Sequence, residues 1–176
     1  MVITYHGEGC FRVQVGDVVI VTDPVDNRLK ADILLKTEWD SKKQVFPPVE
    51  LEISGPGEYE AKEIEILGIP LEAKGGVIHS VYAVRTDDLR LAFFGNADKI
   101  SDPASLSKLG PIDIAFVPAT LAKQVKILEP KIIIPSFAKN AKSAAESFGG
   151  KSEVQEKLVI KAKDLPQATK IIILKN

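Results

Sequence analysis

The sequence of 176 residues has few of the side chains that most often carry chemistry. It has one cysteine, Cys10, and two histidines, His6 and His79. A single cysteine excludes an intramolecular disulfide, which suits a reducing compartment. Two histidines exclude a histidine-built site for two zinc ions. A chain of this length buries roughly two-thirds of its unfolded surface, so it needs neither a disulfide nor a metal to hold a core.

Long apolar runs and a large net charge are also missing. Apolar runs such as those at 132–134 and 171–174 are far shorter than the roughly 20 residues of a membrane span. The N-terminal residues show no basic region followed by an apolar stretch, so we expect a cytoplasmic protein. The net charge of −1 gives no overall attraction to nucleic acid or to an anionic membrane. Residues 1–97 are acidic and residues 98–176 are basic, yet scattered lysines are more typical of a solvated surface than of a binding site.

The pattern of apolar residues predicts strands first and alternating strands and helices later. Strands are predicted at 11–15, 18–22, 32–36, 64–67, 77–84, 89–94, 112–117, 131–134, 158–160 and 170–174. Helices are predicted at 103–109, where Asp102 is a capping residue before Pro103, and at 119–128 and 141–149. No repeat or linker interrupts the chain. We therefore predict one α+β domain over 1–176, with two packed sheets and helices outside.

Several segments, in this order, resemble the metallo-β-lactamase superfamily, in particular its ascorbate-lactonase-like branch of small zinc-dependent hydrolases. Residues 5–11 (YHGEGCF) resemble the opening hairpin, and residues 21–24 (VTDP) resemble a strand that ends in Asp-Pro. Residues 31–37 (ADILLKT) resemble the strand before the zinc motif. Residues 54–60, 68–70 and 89–96 resemble later family segments. The resemblance implies a four-layer αββα sandwich with two mixed sheets.

The expected metal ligands are replaced in this chain. Relatives carry Ser-His-x-His-x-Asp-His after the Ala-Asp-Ile strand, whereas residues 37–43 read TEWDSKK. The histidines of the chain, His6 and His79, align with no ligand position. By this resemblance, the remnant metal-site positions are Glu8, Glu38, Asp40, Lys42, Lys43, Asn96 and Phe137, and Asp23 and Trp39 are neighbouring framework residues.

These positions allow two interpretations. Oxygen donors at Glu8, Glu38, Asp40 and Asn96 suit a hard divalent cation such as magnesium or manganese. Alternatively, Lys42 and Lys43 neutralise the acids, because clustered carboxylates need a cation and an ammonium group can supply it. Phe137 and Trp39 would then occupy the volume of the lost imidazoles. We favour this second interpretation.

The resulting functional hypothesis is a non-catalytic family member without a cofactor, which binds a protein or small-molecule ligand of unknown identity. The alternative is a divergent metal-dependent hydrolase that uses carboxylate and amide oxygens. Nucleic acid is a weak candidate partner, because no basic stripe with interleaved aromatic residues is present. No membrane partner is expected, and a homo-oligomer is possible through an exposed sheet edge or helix. The alternating acids within 50–65 are interpreted as a solvated strand face.

Overall fold

A computed structural model of the chain describes residues 1–26, 28–40, 49–86, 88–137 and 141–175. The strands are β1 (Val2–Tyr5), β2 (Phe11–Val15), β3 (Val18–Thr22), β4 (Ala31–Lys36), β5 (Glu38–Asp40), β6 (Val49–Ser54), β7 (Gly57–Ala61), β8 (Ile64–Lys74), β9 (Val77–Arg85), β10 (Arg90–Phe93), β11 (Ile114–Pro118), β12 (Ile132–Ser136), β13 (Ser152–Gln155), β14 (Lys157–Val159) and β15 (Lys170–Leu174). They form two mixed sheets.

The first sheet has six strands in the order β14-β1-β2-β3-β4-β6. The hairpin of β2 and β3 forms where the alternating apolar residues and the Gly16 turn predict it, with Val13 opposite Ile20. β4 is parallel to both β3 and β6, which places the carboxyl ends of these three strands at one edge of the sheet.

The second sheet follows the order β13-β15-β12-β11-β10-β9-β8-β7, with the short strand β5 paired to β9. Strands β7 to β10 are antiparallel neighbours, whereas β10 to β12, β15 and β13 run parallel. A large apolar core joins inward-facing residues of both sheets, among them Phe11 and Ile33 from the first and Tyr82 and Phe116 from the second. The two sheets therefore pack face to face, as predicted.

The helical predictions are only partly right. In the described residues, the one α-helix is α1 (Ala141–Phe148), close to the predicted 141–149. The segment Pro103–Leu109 is a 3₁₀ helix, although Asp102 does cap it by accepting a hydrogen bond from the Ala104 amide. The predicted helix 119–128 divides into two 3₁₀ segments, Ala119–Leu121 and Gln124–Leu128, and the second ends at Glu129, whose backbone is left-handed. Among the described residues, no helix is long and apolar enough to cross a membrane.

A second apolar cluster lies on the outer face of the second sheet, beneath these helical segments. Leu106, Leu121 and Val125 from the 3₁₀ segments and Phe148 from α1 pack there against sheet residues such as Val117. The helical segments thus cover β10, β11, β12 and β15. The 3₁₀ segments also form the connections from β10 to β11 and from β11 to β12.

Tyr82 ties the second sheet to the first. Its side chain is fully buried in β9, and its hydroxyl lies 3.0 Å from the carbonyl oxygens of Lys36 and of Gly55. Replacing Tyr82 by phenylalanine should lower the free energy of unfolding by about 1–3 kcal/mol, because buried carbonyls lose their donor. Chemical denaturation of the variant and of the unaltered protein measures this difference in the free energy of unfolding. Tyr5→Phe is the control, since its hydroxyl makes no hydrogen bond within the described residues, and an equal loss in both variants would contradict the assignment.

Candidate functional site

A narrow crevice between the two sheets adjoins the positions that the resemblance assigns to the metal site, since Gly9, Thr37, Gly95 and Ser136 in its lining are chain neighbours of Glu8, Glu38, Asn96 and Phe137. It lies at the edge that contains the carboxyl ends of β3, β4, β10 and β12. Its lining consists of Gly9, Phe11, Thr22, Asp23, Thr37, Phe93, Gly95, Phe116 and Ser136. No water-sized sphere fits inside it. The crevice is therefore a filled junction of side chains and not an open cleft.

Asp23 and Thr37 form the polar centre of this junction. Asp23 follows β3 and Thr37 follows β4, so the parallel pairing of the strands brings both to the same edge. The Thr37 amide donates to Asp23 Oδ1 over 2.8 Å, and the Thr37 hydroxyl donates to Asp23 Oδ2 over 2.6 Å. Removal from water raises the pKa of Asp23 to about 6, and the two hydrogen bonds from Thr37 oppose this rise. Both carboxylate oxygens are therefore already engaged within the protein.

Thr37 fills the junction because Gly95 leaves room for it. Gly95 follows β10 with a φ of +57°, and a Cβ placed there would lie 1.9 Å from Thr37 Oγ1. The Thr37 carbonyl oxygen also accepts a hydrogen bond of 2.8 Å from the Ser80 amide of β9. Thr37 thus connects β4, the loop at Asp23, β9 and the turn after β10.

Phe137 closes the crevice from the other side. It follows β12 with a φ of +57°, a backbone conformation that residues other than glycine rarely adopt. Its ring packs on Gly9, and a Cβ at Gly9 would lie 2.2 Å from Phe137 Cζ. The neighbouring Ser136 hydroxyl is buried and has no hydrogen-bond partner in the described structure. An aromatic ring therefore stands where the resemblance expects the last histidine.

Glu8 and Asn96 lie at the surface around the crevice. Glu8 is exposed in the turn before β2 and has a φ of +49°. Asn96 is exposed in the turn after β10, directly after the buried Gly95. Asn96 forms no side-chain hydrogen bond within the described residues. Neither side chain is directed into the closed centre formed by Asp23 and Thr37.

The residues after Thr37 take a different course from the one predicted. Glu38 begins β5, and its Oε1 lies 3.8 Å from Nδ1 of His79, which is the opposite residue on β9. The expectation that Trp39 fills the emptied volume is wrong. Because β5 pairs with β9 as an added strand, Trp39 lies opposite Ile78 and is 41% exposed. Lys42, Lys43 and the side chain of Asp40 lie outside the described residues, so the predicted ion pairs stay a prediction.

The described side chains do not fit the zinc ions of the family. His6 directly follows β1, and its Nε2 lies 3.0 Å from Thr4 Oγ1. His79 of β9 lies beside Glu38 of β5, so the two histidines belong to different sheets. Burial raises the pKa of Cys10 to about 12, which keeps the free thiol protonated. Within the described ranges, no group of three or more histidine, cysteine, aspartate or glutamate residues is placed to hold a metal ion.

The closing residues were only partly visible in the sequence. Asp23 was identified as a framework residue and Phe137 as a replaced ligand position. Gly9, Gly95 and Ser136 were not identified, and Thr37 was noted only as the first residue of the altered loop. Each glycine does precede or follow a remnant position closely, and that adjacency is the one signal that could have drawn attention to them.

Comparisons with known proteins agree with the fold. A family model described as "Beta-lactamase superfamily domain" matches residues 2–136. A protein of Thermotoga maritima assigned to the Zn-dependent hydrolases of the metallo-β-lactamase superfamily is 21% identical, with a TM-score of 0.81 over 98% of this chain and 97% of that chain. Isothiocyanate hydrolase from Delia radicum gut bacteria is 11% identical, with a TM-score of 0.63 and coverage of 98% and 96%. The metallo hydrolase Igni18 from Ignicoccus hospitalis is 14% identical, with a TM-score of 0.62 and coverage of 81% and 84%. None of the curated proteins matches the sequence.

The fold is thus that of the metallo-β-lactamases, with two mixed sheets in an α+β sandwich. The family model covers more than half of the chain, so the chain belongs to the β-lactamase superfamily domain family. The predicted family and fold class are confirmed.

Proposed function

We propose that this chain is a non-catalytic member of its hydrolase family and acts by binding a protein or small-molecule ligand at its surface. The observation that supports this is the closed crevice. At the position where the resemblance expects the last histidine, the ring of Phe137 packs on Gly9, and no water-sized sphere fits in the adjoining crevice, whereas a zinc hydrolase needs an open metal position for water. A substrate cannot reach a nucleophile in a junction that admits no water molecule.

The donor chemistry supports the same proposal. Zinc-bound water becomes a nucleophile near neutral pH because the metal lowers its pKa, and this needs several fixed ligands. Among the described residues, Asp23 is the one carboxylate that lines the crevice, and both of its oxygens accept hydrogen bonds from Thr37. These hydrogen bonds leave lone pairs on the carboxylate, but no second carboxylate and no imidazole of the described residues lines the crevice to complete a ligand set. The proposal therefore includes the absence of a resident cofactor.

Metal analysis tests this proposal. Protein dialysed against zinc, manganese and magnesium in turn and then against metal-free buffer should retain substoichiometric metal by elemental analysis. Its midpoint of thermal unfolding should be the same with each metal and with a chelator, because only a ligand that binds the native state raises stability. Retention of about one ion per chain, with a matching rise of the midpoint, would overturn the proposal.

The alternative, a hydrolase with an oxygen-liganded magnesium or manganese ion, makes the opposite forecast. It requires Glu8, Glu38, Asp40 and Asn96 to converge, and the exposed positions of Glu8 and Asn96 do not favour this. Glu8→Gln serves as the matched variant. If the protein binds manganese and Glu8→Gln weakens that binding at least about tenfold, the hydrolase alternative replaces the non-catalytic one.

A further inference from the structure

A groove of about 480 Å³ lies on the outer face of the second sheet, away from the closed crevice. The helical segments cover β10, β11, β12 and β15, and the same apolar cluster buries Ile69, Leu71 and Val81 at one end of β8 and β9. The outer face of β7 and of the other end of β8 and β9 stays open. Leu67 and Ala83 form the apolar floor of the groove, and Leu109, at the end of a 3₁₀ segment, forms one wall. Both floor residues are only partly buried.

Four charged residues cross this groove in a straight row. Strand register places Glu60 of β7 opposite Glu65 of β8, Glu65 opposite Arg85 of β9, and Arg85 opposite Arg90 of β10. All four side chains line the groove, so they share one face of the sheet. The order of charges along this row, which we call the charge row, is negative, negative, positive, positive.

The charge row is unfavourable within one molecule. Like charges directly opposite each other on neighbouring strands are destabilising, and the row contains two such pairs. Only the central pair is compensated, by a contact of 3.0 Å between Arg85 Nη1 and Glu65 Oε2. In the part of the chain that the structure describes, the carboxylate of Glu60 and the guanidinium of Arg90 form no ion pair. The two ends of the row therefore carry opposite charges that are free for a partner.

We propose that the partner is a second copy of this chain, docked face to face on the groove. A two-fold axis parallel to the strands, between Glu65 and Arg85, reverses the charge row in the partner. Glu60 of one copy then faces Arg90 of the other, and Arg90 faces Glu60. A two-fold interface must be complementary to itself, and an antisymmetric row of charges meets this condition.

The apolar parts of the groove fit the same arrangement. Leu67 and Ala83 are opposite residues on β8 and β9, so the axis places Leu67 of each copy over Ala83 of the other. β7 is the last strand in the order of its sheet. The wall at Leu109 in one copy therefore lies beyond the β7 edge of the other copy and does not block the approach. A ligand of one charge sign fits less well, because half of the row would repel it.

Sedimentation analysis of charge-swap variants tests the dimer. The unaltered chain should sediment as a dimer in low salt. Glu60→Arg and Arg90→Glu should each raise the dimer dissociation constant at least about tenfold, because each creates two like-charge contacts across the axis. An equimolar mixture of the two variants should form a heterodimer, because every outer contact in it again joins opposite charges. The double variant Glu60→Arg/Arg90→Glu should restore the homodimer for the same reason.

Controls separate this pattern from general effects of charge or misfolding. Lys151→Glu reverses one charge, as each single test variant does, but this exposed residue lies beside β13 at the opposite edge of the second sheet from β7, so the swap should leave the dimer unchanged. Circular dichroism confirms that each variant is folded, and higher salt should weaken the dimer of the unaltered chain. A monomer at all concentrations, a dimer insensitive to both single swaps, or a mixture that stays monomeric would each overturn the proposal.

Discussion

Replacing Gly95 by alanine is expected to lower the free energy of unfolding by about 2–5 kcal/mol. The added Cβ would lie 1.9 Å from Oγ1 and 2.5 Å from Cβ of Thr37, and the φ of +57° is itself unfavourable for a side chain. Thr37 cannot move away without losing hydrogen bonds, because its amide and hydroxyl both donate to Asp23 and its carbonyl oxygen accepts a hydrogen bond from the Ser80 amide. Urea denaturation of the variant and the unaltered protein measures the difference.

Gly16→Ala provides a closely matched control for this prediction. Gly16 also has a φ of +57°, but no atom lies within 4 Å of a Cβ placed there. Its substitution should therefore cost only the backbone strain, about 1–2 kcal/mol. The excess loss in Gly95→Ala reports the contact with Thr37. Equal losses in the two variants would show that Thr37 is not held against Gly95.

Local patterns in the sequence were enough to predict much of the fold. The β2–β3 hairpin follows from alternation around a glycine turn, and the cap at Asp102 follows from a short-range preference. The distinction between α and 3₁₀ helix at 103–109 was not predictable in this way. It depends on how Leu106 and Leu109 pack on the sheet, which is a tertiary effect.

The site shows the same division between local and long-range information. The loss of histidines could be read directly from residues 37–43, because ligand identity is a property of the sequence. The contact of Phe137 with Gly9 joins residues more than a hundred positions apart, so no local pattern contains it. Trp39 was misassigned for a related reason. Its exposure is set by the pairing of β5 with β9, which the sequence of the loop does not specify.

Asp23 is expected to make the stability of the protein fall as the pH rises. In the folded protein the pKa of its carboxyl is raised from the ordinary value of 3.8 to about 6, mainly because burial disfavours the charged form. The folded state therefore binds more protons than the unfolded state between about pH 4 and 6. Stability contributed by the protonated carboxyl is present below about pH 4 and is lost as the pH rises through about 6, by up to about 3 kcal/mol.

Comparison with Asp23→Asn isolates this effect, because asparagine has no carboxyl to titrate and all other groups are shared. The difference in free energy of unfolding between the unaltered protein and Asp23→Asn should shift in favour of the unaltered protein as the pH falls from 7 to 4. Asp32→Asn is the control of opposite sign. The pKa of Asp32 is lowered, mainly by the hydrogen bond from Lys62 and then by that from the Val19 amide, so its contribution is lost as the pH falls. If the Asp23→Asn difference is independent of pH, or changes in the same direction as that of Asp32→Asn, the carboxyl of Asp23 is not enclosed in a closed crevice. The junction would then be open to water, and the structural basis for a non-catalytic family member would be lost with it.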